Sequence, residues 1–175
     1  FWGRFSSKAL GEAWSGLLPF EPFDKASPAA TRSNWAFGVY AWLKWDVFDF
    51  KPLASPQDDE VWGIVTVRFP VSLPSLKLIP LVNPTQHADR SCSPEGFLTQ
   101  AEDRDSLGEF LHPEMVKYLE GLPRYMWQFT GDRCVIAFPT PNDPARLPDV
   151  LEQVIGLWKR IPEPMKDAGG RIPSC

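Results

Sequence analysis

Hydrophobic and polar positions alternate with a period of two along residues 35–48. Trp35, Phe37, Val39, Ala41, Leu43, Trp45 and Val47 fall on one side, and Gly38, Tyr40, Trp42, Lys44, Asp46 and Phe48 on the other. Successive side chains of an extended chain point to opposite faces, so the alternation predicts a strand or a hairpin. Burying the large apolar residues of the first set is worth roughly 1.5–3 kcal/mol each, and that side is expected to face a core. Tyr40, Trp42 and Phe48 on the other side are left either to lie under a helix or to meet a partner. Beyond the turn-like SPQDDE, the stretch VWGIVTVRF alternates in the same way. Val61, Gly63, Val65, Val67 and Phe69 stand opposite Trp62, Ile64, Thr66 and Arg68, which predicts a strand antiparallel to the first.

The remaining pattern mixes periods. Leu10, Ala13, Trp14 and Leu17 behind a Ser cap predict a short first helix over 6–17, weakened by Gly11 and Gly16. The three prolines of PVSLPSLKLIPLV argue for an edge strand or an extended connection. A loop follows from Asn83, and PEGFLTQAED adds a short strand. DSLGEFLHPEMVKYLEGL reads as two helices broken before Pro113, with His112 at the junction. YMWQFTGDRCVIAF reads as two strands around Thr-Gly-Asp, a hairpin. In PARLPDVLEQVIGLWKRIP, Val150, Leu151, Val154, Ile155 and Trp158 share a helical face, with Pro148 near the start. The sum is an α+β sandwich, an antiparallel sheet of about five or six strands flanked by helices. The tail MKDAGGRIPSC lacks apolar periodicity, so the expectation is one globular domain over 1–165 and a flexible tail over 166–175.

Composition narrows the classes. At 175 residues one domain is the default, large enough to hide roughly 70% of the unfolded surface. Eight Trp and 19 Pro imply an aromatic core and interrupted elements. With 18 basic and 22 acidic residues the net charge is −4, and no basic stripe is visible along the sequence, so nucleic acid is not expected as a partner. The odd set Cys92, Cys134 and Cys175 shows no CxxC spacing; neither a disulfide framework nor a zinc site is indicated, and a reducing compartment fits. No signal peptide or transmembrane run is visible in the sequence.

The search for chemistry returns little. His87 and His112 belong to no HExxH, Cys-His or GxSxG arrangement. Asp46 and Asp49 are spaced to opposite faces of a regular strand, which spoils a carboxylate dyad. Asp58, Asp59 and Glu60 lack the spacing of a calcium loop, and His87, Cys92 and Cys134 meet only if the fold gathers them. No glycine run opens a helix as a phosphate cradle would. No catalytic residue, cofactor or metal is therefore expected.

Four segments in order carry a resemblance: NWAFGVYAWLKWDVFDF, VTVRFPVSLPSLKLIP, LHPEMVKYL, and WQFTGDRCVIAFPTPNDPARLPDVLEQVIGLWKRIP. From about residue 34 to 162 the chain resembles a group of actinobacterial membrane-anchored proteins, and within it is similar to the mycobacterial trehalose monomycolate transport factors. Gly38, Tyr40, Phe48, Asp49 and Phe50 match one motif of the group, Pro70, Leu73, Pro74 and Leu76 a second, and Leu111, His112, Pro113 and Met115 a third. The segment between Val82 and Glu102 is shorter than in the wider group. The resemblance implies a membrane anchor outside this chain and a soluble domain on the cytoplasmic side of the inner membrane. It further implies a non-enzymatic role beside an RND-type inner-membrane lipid exporter. The aromatic residues Tyr40, Trp42 and Trp62 are then the candidate partner-binding surface, since Tyr and Trp are enriched at binding hot spots. Two other readings stand beside it. One is a module holding lipid or a small ligand in a Trp- and Phe-lined pocket; the other is a hydrolase using Asp46 or Asp49 with His112.

Overall fold

The alternation over 35–48 resolves into two strands joined by a two-residue turn. In the computed structural model, which describes residues 31–51, 61–81, 93–101 and 104–168, β1 spans Thr31–Tyr40 and β2 Leu43–Lys51. Ala41 takes a φ of 55°, the positive value that the first loop position of such a tight hairpin requires. The turn reverses the parity of the pattern. Tyr40 pairs with Leu43, Gly38 with Trp45 and Ala36 with Val47, so residues of opposite parity share a face across the hairpin. The expected core side is thus right for Leu43, Trp45 and Val47 and wrong for Phe37 and Val39, which are 63% and 65% exposed. A second shift near Asn34, at a φ of 51°, changes the register again between Ser33 and Ala36.

The third strand organises the sheet. β3 runs from Trp62 to Pro80, pairing with β2 over its first half and with the short β4, Phe97–Ala101, over its second. β5, Met126–Phe138, pairs with β3 along both halves, and all pairings are antiparallel. Two expectations are corrected here. The proline-bearing stretch after Phe69 lies within a central strand. Pro70 and Pro74 are tolerated because they fall between Arg68, the last partner of β2, and Leu76, the first partner of β4, where the β3–β5 register also shifts. YMWQFTGDRCVIAF forms no hairpin, since both halves pair with the same neighbour. Gly131, with φ at +56°, lies in β5 opposite the irregular middle of β3.

Among the described residues, α1 Arg104–Phe110, α2 Pro113–Glu120 and α3 Leu147–Trp158 stand in the predicted order, and a further helix, α4 Glu163–Ala168, follows that the pattern did not predict. Pro113 occupies the first turn of α2, as expected from its missing N–H. A 3₁₀ turn at Pro144–Arg146, capped by the Asp143 carboxylate accepting from Ala145 N, leads into α3. α3 buries Val150, Leu151, Val154 and Leu157. α4 carries helical order past Met165 to Ala168, and Met165 packs against the main core. That core joins one sheet face to the helices, with Leu78, Trp127, Phe110 and Phe129 inaccessible or nearly so. The opposite face holds a second cluster of Phe48, Phe50, Ile64, Met126, Val135 and Ala137. The architecture is the expected α+β fold, with five strands among the described residues. The predicted helix over 6–17 and the turn SPQDDE lie outside the described residues.

Two close approaches set the sheet's shape. A Cβ on Gly38 would stand 2.7 Å from the Trp45 ring, and one on Gly63 would collide with Phe138 Cε2 and stand 2.7 Å from the Thr140 carbonyl oxygen. Each glycine faces its cross-strand aromatic partner, whose ring occupies the space a Cβ would need.

Candidate partner-binding site

At the hairpin end the sheet meets α3 through aromatic rings. Trp42, 44% exposed, sets its ring edge-on to Trp158 with centroids 4.8 Å apart. Trp158 in turn stacks on Phe69 at 5.6 Å with a 16° interplanar angle. Lys166 of α4 places its ammonium 5.3 Å from the Trp158 ring centroid while pairing with Glu163 at 2.8 Å. Beside this ladder the Tyr40 hydroxyl donates to Glu152 Oε1 at 2.6 Å. That bond to a carboxylate raises the Tyr40 phenol above its ordinary pKa, because losing the proton would set two negative charges together. Tyr40 and Trp42 therefore share a surface built by β1, the turn, α3 and α4.

Trp62 does not join them. It packs with the second cluster on the opposite face of the sheet. The parity change at the turn is the reason. Even-numbered Tyr40 faces the helices, while even-numbered Phe48 and Trp62 face away from them. The expected single surface of Tyr40, Trp42 and Trp62 is thus divided, and Glu152, Trp158 and Lys166 complete its larger part. Glu152 carried no local signal, because its partner Tyr40 is remote in sequence; Trp158 was legible as an apolar position on the closing helix.

The acidic and histidine positions prove to be engaged. Asp49, 2% exposed, accepts from Asn34 Nδ2 at 2.6 Å, Asn142 N at 2.7 Å and Asn142 Nδ2 at 2.9 Å. The carboxylate pins the irregular part of β1 to the loop after β5, an architectural task. Asp46 lies with Thr66, Arg68 and Arg133, and burial raises its pKa against the pull of both arginines. His112 Nε2 lies 2.8 Å from the Arg160 carbonyl oxygen, to which it donates. The described contacts therefore give Asp46, Asp49 and His112 separate partners. Cys134 is fully buried, and burial drives its thiol far above the usual range; His87 and Cys92 lie outside the described residues. An open groove of about 510 Å³ lies between α2 and α3, lined by Glu114, Lys117, Tyr118, Gly121, Leu122 and Arg160, with no Trp or Phe in its wall. The Arg160 guanidinium covers Tyr118 at 4.0 Å and donates to the Gly156 carbonyl at 2.7 Å.

Fold and site together describe an antiparallel α+β domain with an aromatic hairpin end and no gathered catalytic constellation among the described residues. Among solved structures, this chain is similar to the crystal structure of the mycobacterial trehalose monomycolate transport factor A, TtfA, with a TM-score of 0.54 over 78% of this chain and 77% of that one, at 13% identity. The expected resemblance to that group holds at the level of the fold. No family model matches the chain, and no curated protein matches it. Among the described residues no helix is long and apolar enough to cross a membrane.

Proposed function

We propose that this chain is a non-enzymatic accessory domain of a cell-envelope lipid transport system, acting as a scaffold beside an inner-membrane exporter of trehalose monomycolate type. The likeness in fold to TtfA over 78% of the chain carries the reading. The hairpin end supports it. Trp42 is half exposed yet held by Trp158, and Tyr40 is fixed by Glu152, so a partner would meet pre-ordered aromatic side chains at little entropic cost. In this reading the membrane anchor lies outside the chain and the domain stands on the cytoplasmic side.

The test is affinity capture of the full-length protein from its native host in mild detergent, with partners identified by mass spectrometry. Recovery of an RND-type lipid exporter, lost when Trp42 is changed to Ala in a protein that still folds, is the expected result. Recovery of no membrane transporter by the unaltered protein would overturn the reading.

A further inference from the structure

The register places an unusual row of side chains on the sheet face that points away from the helices. Val39 pairs with Lys44, Lys44 with Arg68, and Arg68 with Arg133, so three cations from three neighbouring strands stand side by side. Paired residues of adjacent strands lie on one face at about 4.5–5.5 Å between Cβ atoms, and like charges directly opposite repel. Arg133 is drawn toward Asp132 at 3.7 Å, whereas Lys44 and Arg68 point into solvent. The next row on this face holds Phe37, Asp46, Thr66 and Val135. Asp46 there is half-buried and interacts with both Arg68 and Arg133, so it offsets part of the row's positive charge. The flank of the row is apolar, with Phe37 and Val39 on β1 about two-thirds exposed and Phe37 braced by Trp35 at 5.2 Å.

We infer that this end of the sheet is a contact surface for an anionic bilayer, with Phe37 and Val39 entering the interfacial layer and Lys44 and Arg68 meeting lipid phosphates. The complementarity is local. The chain carries a net charge of −4, so general attraction to a negative surface does not supply the contact, and the placed cations must. Aromatic and apolar side chains beside Lys and Arg form the composition that holds a protein at the headgroup level. Burial and the neighbouring Arg68 lower the Arg133 pKa against the pull of Asp132 and Asp46, and phosphates lying over the row add to that compensation. This surface is distinct from the Tyr40–Glu152 side of the hairpin, so a transport partner and a bilayer are compatible on the same domain.

The experiment is co-sedimentation of the 175-residue chain with two vesicle preparations, phosphatidylcholine alone and equal parts phosphatidylcholine and phosphatidylglycerol. Binding is expected only to the second and is expected to weaken as salt rises. The double variant Lys44→Gln/Arg68→Gln loses about 30-fold in partitioning, from two juxtamembrane charges removed. Phe37→Ser/Val39→Ser produces a loss of similar order, and Lys117→Gln on the far side of the molecule leaves partitioning unchanged. All four side chains on the tested face are exposed, and unchanged far-ultraviolet circular dichroism confirms that the variants fold. Equal binding to both vesicles, binding to neither, or insensitivity to the two double variants would overturn the inference. Retention on immobilised polyglutamate without vesicle binding would also overturn it, and would give the row to an acidic protein segment.

Discussion

At the scale of single residues, close backbone approaches and turn positions carry definable costs. Gly63 admits the Phe138 ring, and the Thr140 carbonyl blocks the same space from the backbone side. Gly63→Ala should destabilise the domain by about 1–3 kcal/mol, since a Cβ there forces ring and strand apart. Urea denaturation monitored by tryptophan fluorescence checks this, and an unchanged midpoint would mean that Phe138 relocates freely. Ala41 offers the opposite opportunity. Its positive φ strains any residue with a Cβ, and Ala41→Gly should gain about 1 kcal/mol in the same assay. Asp49 shows where sequence reading stops at this scale. Its place in a motif was legible, but its role was not, because Asn34 and Asn142 reach it from distant parts of the chain.

At the scale of elements, helices were legible and strand faces were not. Pro113 and the spacing of Val150, Leu151 and Val154 fix helices through local chemistry, and both emerged where expected. Strand faces depend on what happens at turns. One two-residue turn moved Phe37 and Val39 outward, and one irregular stretch turned an expected hairpin into the single strand β5. Neither is visible in a period-two pattern, which reads straight through both. The junction of hairpin and α3 makes a pH-dependent prediction. Tyr40 is raised chiefly by its bond to Glu152, and Tyr118 chiefly by burial. A phenol raised in the folded protein keeps its proton where the unfolded chain has released it. Its contribution is therefore present below about pH 10 and is lost as pH climbs through the folded value. Stepped-pH denaturation should show the unaltered chain losing stability faster in that range than Tyr40→Phe. Parallel slopes would show that the Glu152 contact does not report on folding.

At the scale of the whole molecule, the sheet divides the domain into two surfaces. One carries the helices, Tyr40 and Trp42; the other carries Trp62 and the cation row. The fold class was legible because alternation and helical spacing each recur along the chain. The division of the aromatic residues between faces was not, because it depends on register. If the proposed transport role is right, Trp42→Ala and Lys44→Gln/Arg68→Gln should separate partner capture from bilayer binding. The first should reduce capture, and the second should leave it intact. Loss of both properties in either variant would show that the hairpin end works as one unit. The long β3 also governs how the domain is made. Its first half meets β2 early, but its other edge stays bare until β5 has been synthesised, since Gly63 waits for Phe138. A nascent chain ending before β5 therefore presents a long, apolar, unpaired edge, the template on which strands of other chains assemble. Completion of the sheet is a late, long-range closure, so folding should be slow for a domain of this size. Chains cut short of residue 138 are then candidates for holdase capture during translation, whereas chains that run past it are not.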